Sequence, residues 1–169
     1  PQDITGIRFT FDGREWSVGD VLAETFTDGF LVIHRGRIVA EIYMNDMRRE
    51  TLHLSQSVGK SVVGTVAGIL IGRGLIDPKA PVTEYLPELE KTAHRGATVQ
   101  QVLDMTTGTV FDESYTALDS HVAKLDAACG WKDPQSPDWP KTVWQLILEL
   151  TEAERAHGEA FCYRSIETD

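Results

Sequence analysis

The segment from Ser57 to about Leu75 constrains the fold more than any other stretch of this chain. Val58, Val62, Val66, Ile69 and Leu70 recur at helical intervals, and the glycines at 64, 68 and 72 fall four apart, one above another on a helix surface. The pattern predicts a long helix with a smooth strip where a second backbone can approach closely. An apolar face of that length needs cover, so the helix is expected to be deeply packed and central. Material for a core is at hand: 41% of the 169 residues are hydrophobic and 25% are charged, the balance of an ordinary globular protein.

Upstream of this helix, the β-branched-rich runs Phe30 to His34 and Arg37 to Tyr43 are joined by Arg35-Gly36, which predicts a hairpin and the only sheet that the pattern marks clearly. Downstream, Asp77-Pro78, Pro81 and Pro87 mark a structured surface connection. Thr98 and Gln101 have the spacing of a capping box; Val102, Leu103 and Met105 supply an apolar stripe, and Gly108 is placed to stop the helix. A further amphipathic stretch runs from Ala117 to Cys129 and closes at Gly130. After Pro134, Pro137 and Pro140, an i, i+3, i+4, i+7 face returns at Val143, Leu146, Ile147 and Leu150. The expected organisation is α+β: residues 1–50 form an N-terminal segment with the hairpin, and residues 51–169 a mostly helical region.

Sixteen Lys and Arg against 26 Asp and Glu leave a formal charge of −10, a field that repels polyanions and argues against nucleic acid or an anionic membrane as a partner. The longest apolar run, Val62 to Ile71, is broken by glycines and too short to span a bilayer. No signal-peptide pattern is present, so a soluble protein is expected, cytoplasmic rather than secreted. Cys129 and Cys162 show no C-x-x-C spacing and read as buried structural thiols, and the five histidines lack metal-ligand spacing. No metal or organic cofactor is expected.

Chemistry concentrates at Ser57-Val58-Gly59-Lys60, where spacing of three puts a hydroxyl and an amine on one face of a first helical turn. A hydroxyl is a weak nucleophile until a neighbour takes its proton, and a lysine amine in a dry pocket can do so because burial disfavours its charged form. Unpaired N–H groups at a helix start favour negative charge developing on the reacting oxygen. Lysine there opposes the helix dipole, so its placement asks for a reason. The plainer alternative is a capping Ser57 and a solvated Lys60. Near the end, Tyr163 and Ser165 lie two apart beyond the turn His157-Gly158-Glu159, and a phenol beside an ammonium group can relay a proton while a hydroxyl steadies it. Asp112, with Glu113, follows Phe111 on a loop able to line a site and meet a cationic substrate group; a solvated acidic loop is the alternative. Trp131, Trp139 and Trp144 suit a substrate pocket or helix packing equally.

The runs S-V-G-K at 57–60, G-R-G-L-I-D at 72–77, P-V-T-E-Y-L-P-E-L at 81–89, T-V-Q-Q-V-L-D-M-T-T-G at 98–108 and F-C-Y-R-S-I-E-T-D at 161–169 stand in order along the chain. Together they resemble the serine β-lactamase and penicillin-binding superfamily, and more closely its class C-like branch of esterases and 6-aminohexanoate-dimer hydrolases. The resemblance implies an antiparallel sheet packed against helices. It also implies Ser57 as the acylated nucleophile with its N–H as half of an oxyanion hole, Lys60 as proton partner, and Tyr163 as base or relay. The substrate would be a small amide or ester, such as a linear amide oligomer of the 6-aminohexanoate dimer kind, turned over without a cofactor. Ser165, expected to touch substrate, stands where β-lactamases of this type usually carry Asn, which favours an amidase or esterase. A non-catalytic penicillin-recognition or β-lactamase-like binding protein is the alternative. The K-T-G-like strand of the family is missing, and the chain runs only from Pro1 to Asp169. An incomplete part of the fold is therefore expected, needing a complementary C-terminal chain or segment, because a lone hairpin is not stable and its edges invite pairing.

Overall fold

The computed structural model describes residues 2–168, and the chain divides into two compact units, Pro1–Leu54 and Ser55–Asp169. In the first unit, β1 (Arg8–Phe11) and β2 (Arg14–Ser17) form an antiparallel hairpin. Asp12 and Gly13 turn it with φ of 50° and 71°, the left-handed pair that a two-residue hairpin loop requires. Ser17 then caps α1 (Val18–Glu24): its hydroxyl accepts the Asp20 N–H at 3.0 Å while the Asp20 carboxylate accepts the Ser17 N–H at 2.8 Å. The expected second hairpin is present as β3 (Gly29–His34) and β4 (Arg37–Tyr43), with a bulge between Val32 and Ile33 and with Arg35 and Gly36 left-handed. Each of these sheets has two strands. The first hairpin was not anticipated. Its four-residue strands are mostly exposed, so they carry no inside–outside alternation to read.

The second unit opens with a 3₁₀ turn, Gln56–Val58, running into α2 (Gly59–Gly72). The expected deep packing of α2 is not met. None of its residues is buried, and Val62, Val66 and Ile69 are 64%, 50% and 49% exposed. No atom stands within 4 Å of where a Cβ on Gly64, Gly68 or Gly72 would lie. The strip is real, and this chain leaves it open.

Thr98 and Gln101 do form the capping box of α3 (Val99–Leu103), which ends at Asp104, well before Gly108. Gly108 is therefore not the helix stop that the sequence suggested; it stands where the Arg155 backbone approaches closely. Ser120 caps α4 (His121–Ala128), so that helix starts later than expected, and α5 (Val143–Glu149) follows the cap Thr142. Phe111, Val122, Leu125, Leu146, Leu150 and Ile166 make the core of this unit, with Val143 and Ile147 packed against it. Cys129 is exposed and Cys162 half-buried, against the expectation of two buried thiols. Among the described residues no helix is long and apolar enough to cross a membrane.

A buried polar cluster lies beside this core. The Thr92 hydroxyl donates to the Leu89 carbonyl at 2.8 Å, so its contact at 3.4 Å with His94 Nδ1 leaves that nitrogen as the donor. His94 Nε2 then faces Glu167 Oε1 at 3.9 Å, and the Thr107 hydroxyl donates to the same carboxyl oxygen. Glu167 Oε2 has no hydrogen-bond partner. Burial pushes His94 down to about 4, with the nearby His157 adding to the effect, and burial raises Glu167. Above about pH 4 the imidazole of His94 is uncharged, so its approach to Glu167 is not an ion pair. An imidazole whose folded value lies below its ordinary one binds fewer protons than in the unfolded chain, so its contribution to stability is present above about pH 6.5 and is lost as pH falls toward 4, about 3 kcal/mol in all. Glu167 acts in the opposite sense, its contribution fading as pH rises above the ordinary carboxylate range. Denaturant unfolding of His94→Gln is expected to show a flatter acid decline than the wild type between pH 6.5 and 4; parallel declines would exclude His94 as the group responsible.

Candidate active site

Three segments of the second unit meet around Ser57. Gln56, immediately before it, holds φ at 46°, a conformation unfavourable for a residue with a Cβ. The 3₁₀ turn that follows is closed by the Val58 N–H on the Ser55 carbonyl at 3.0 Å. The cap position of α2 is Val58, with no side-chain cap, so Ser57 is not the helix cap. Its exposed hydroxyl instead accepts a hydrogen bond from the Tyr163 phenol at 2.6 Å.

The neighbours of Tyr163 hold it in place. The Cys162 N–H donates to the Met105 carbonyl at 3.0 Å, Arg164 reaches Glu154 Oε1 at 2.7 Å, and Ile166 is buried in the core at 2% exposure. A side chain between such anchors keeps its direction. One turn beyond Ser57, the Lys60 ammonium donates to the Ser165 carbonyl at 2.5 Å. Ser165 is itself buried; its hydroxyl donates to Glu113 Oε2 at 3.2 Å, and its N–H donates to Glu113 Oε1.

Four of the residues singled out from the sequence therefore form two hydrogen-bonded pairs at one end of α2, Ser57 with Tyr163 and Lys60 with Ser165. Asp112 is not among them. It is exposed, and its carboxylate accepts the Ser114 N–H at 2.9 Å within its own turn. Glu113, the next residue, is the one that reaches Ser165. Tyr115 completes the group: a hydrogen bond with Ser165 lowers its phenol, but desolvation and the Glu113 carboxylate outweigh this and hold it above the usual tyrosine range. The sequence marked Glu113 only as part of an acidic loop and gave no signal for Tyr115, since the pairing of Glu113 with Ser165 spans 52 positions.

Two hollows flank the cluster. A cleft of about 90 Å³ is lined by Tyr115, Asp126, Lys132 and Trp139, with Lys132 Nζ 2.6 Å from Asp126 Oδ2. Of the three tryptophans singled out, Trp139 lines this cleft while Trp131 is 59% exposed. A wider groove of about 430 Å³ runs along the glycine strip of α2, between Lys60, Gly64, Gly68, Leu103 and Met105.

The family described as β-lactamase matches residues 22–164. The 6-aminohexanoate-dimer hydrolase of Paenarthrobacter ureafaciens is 40% identical over 148 residues, which take in 88% of this chain but 37% of the relative. A solved structure from Bacillus anthracis, named for the same hydrolase, superposes with a TM-score of 0.83 at 24% identity, covering 99% of this chain and 44% of that one. At that identity the likeness speaks for the fold alone. The chain spans less than half the length of either protein.

Proposed function

The chain belongs to the β-lactamase family and has its α+β fold, and from that premise we propose that it is the nucleophile-bearing part of a serine hydrolase that cleaves a small amide or ester through an acyl-enzyme. The hydrogen bond at 2.6 Å between Tyr163 and Ser57 carries this reading. Two hydroxyls at that distance can pass a proton either way. Ser57 Oγ bonds to the acyl carbon as its proton passes to the Tyr163 oxygen, while the phenolic proton of Tyr163 moves on to the nitrogen or oxygen of the scissile bond, with the Lys60 cation steadying the charge that develops. The bond from acyl carbon to nitrogen or oxygen then breaks, and the amine or alcohol leaves with that proton. Water repeats the sequence: it adds to the acyl carbon, gives a proton to Tyr163, and Ser57 departs with the phenolic proton that Tyr163 passes on. The Ser57 N–H is one donor to the oxyanion in both tetrahedral intermediates.

The identity to a 6-aminohexanoate-dimer hydrolase supports a linear amide oligomer of that kind as substrate. Ser165 in place of the Asn usual in β-lactamases supports the same choice. The open strip of α2 supports a complementary C-terminal segment as partner, because the groove beside Gly64 and Gly68 admits a closely approaching backbone. Incubation with a fluorophosphonate probe, followed by peptide mass mapping, is expected to place one adduct on Ser57. Retention of a labelled penicillin without turnover, and without a fluorophosphonate adduct, would make the protein a binder instead of a hydrolase.

A further inference from the structure

We infer that Glu113 is a positioning residue for the acylation step: by gripping both the N–H and the O–H of Ser165, it fixes the carbonyl of that residue, to which Lys60 is tied. The inference rests on the reading of Ser57 as nucleophile. Both carboxylate oxygens accept from Ser165, and the Tyr115 phenol bonds to the same carboxylate; hydrogen bonds to a carboxylate acceptor are the strong kind. A single bond would let Ser165 pivot; two bonds from different atoms of the residue do not. Ser165 is therefore held on three sides, by Glu113 through its N–H and hydroxyl and by Lys60 through its carbonyl.

The other end of Glu113 is equally fixed. Phe111 is buried in the core at 4% exposure, the Asp112 N–H donates to His121 Nδ1 at 3.0 Å, and the Asp112 carbonyl accepts the Val122 N–H at 3.0 Å. Ser114 is closed onto the Asp112 carboxylate. Glu113 thus hangs from backbone stapled to the start of α4, and it transmits that rigidity to the turn carrying Tyr163 and Ser165. Asp112, one methylene shorter, is consumed in making the turn that presents it. Among the described residues Glu113 hydrogen-bonds neither Ser57 nor Tyr163, so its effect is on geometry: it keeps the Lys60 cation and the Tyr163 oxygen in register with Ser57.

The test is saturation kinetics of Ser57 acylation by a fluorophosphonate in the intact protein, for wild type, Glu113→Ala and Glu113→Gln, with thermal midpoints measured alongside. Glu113→Ala is expected to lower the maximal acylation rate by about 10²-fold with little change in the half-saturating probe concentration, since misplacement by about an ångström has that effect without altering binding. Glu113→Gln keeps an acceptor for the Ser165 N–H and loses the charge, so it is expected to recover about tenfold of that loss. A purely structural Glu113 would lower the midpoint and leave the maximal rate of the folded fraction intact, which would overturn the inference. If the alanine variant fails to fold, a glutamine variant acylating at the wild-type rate would overturn it too. No adduct on Ser57 of the wild type would overturn the hydrolase reading and this inference with it, whereas normal labelling of the wild type and both variants would remove Glu113 alone.

Discussion

Ser57→Ala is expected to eliminate acylation and turnover, a loss of at least about 10³-fold in kcat, while moving the thermal midpoint of the intact protein hardly at all. The two halves of that expectation have different causes. On the proposed acyl-enzyme reading, activity goes because the hydroxyl bonded to Ser57, that of Tyr163, has its oxygen 2.6 Å away from the Ser57 oxygen, displaced from where the acyl carbon must sit. Stability stays because Ser57 is exposed and does not cap α2. Alanine removes one exposed hydrogen bond between neutral groups, worth about 1 kcal/mol or less. Tyr163→Phe is the companion measurement. On the proposed reading it keeps the nucleophile and removes the proton acceptor, so slow acylation should remain, reduced by about 10²- to 10⁴-fold. Steady-state hydrolysis of an activated ester, with mass detection of the acyl-enzyme, distinguishes the two variants. Turnover surviving in Ser57→Ala would take Ser57 out of the mechanism.

Local chemistry made much of this site legible in the sequence. The capping box at Thr98 and Gln101 and the turn at Arg35-Gly36 each depend on residues within four positions, and each is where it was expected; Ser57 and Lys60 stand at the start of α2, but Ser57 lies in the 3₁₀ turn that runs into it rather than in its first turn. What escaped depends on distance or on context. Glu113 and Ser165 are 52 positions apart, and the side chain of Asp112 is diverted into its own turn by a bond that only the folded loop defines. The apolar face of α2 is present, but the deep packing expected of it is not, because periodicity marks an apolar face without saying what covers it. Gly108 looked like a helix stop because glycine is common there; Met105, left-handed at φ 52°, turns the chain first. The first hairpin carried an Asp-Gly turn signal at 12–13 that its short, exposed strands did not reinforce.

Gly108→Ala is expected to destabilise the second unit by about 3 kcal/mol, because two independent penalties coincide at one Cβ. The backbone there has φ at 72°, and a Cβ would stand 2.5 Å from the Arg155 carbonyl oxygen and 3.1 Å from its carbon. The left-handed conformation costs about 1–2 kcal/mol for a residue with a side chain, and overpacking adds about 1–3 kcal/mol. Neither backbone is free to yield. The Gly108 carbonyl accepts the Glu154 N–H at 2.9 Å, the Val110 N–H donates to the Glu152 carbonyl at 2.8 Å, and the Gly158 N–H donates to the Thr106 carbonyl at 2.8 Å. The Arg155 side chain can swing away, but its carbonyl is held between these bonds. Gly96→Ala separates the two penalties: Gly96 is also left-handed, at φ 82°, but nothing lies within 4 Å of its would-be Cβ, so only the conformational part, about 1 kcal/mol, applies. Thermal melts should place Gly108→Ala lower than Gly96→Ala by about 5–10 °C. The same strain acts on Thr107 and Thr109, whose hydroxyls lie 2.9 Å apart and connect through Thr107 to Glu167, four residues past Tyr163. Gly108→Ala should therefore also slow Ser57 acylation, whereas Gly96→Ala should leave it unchanged; equal midpoints for the two variants would mean that the approach of Gly108 to Arg155 is not a constraint on the fold.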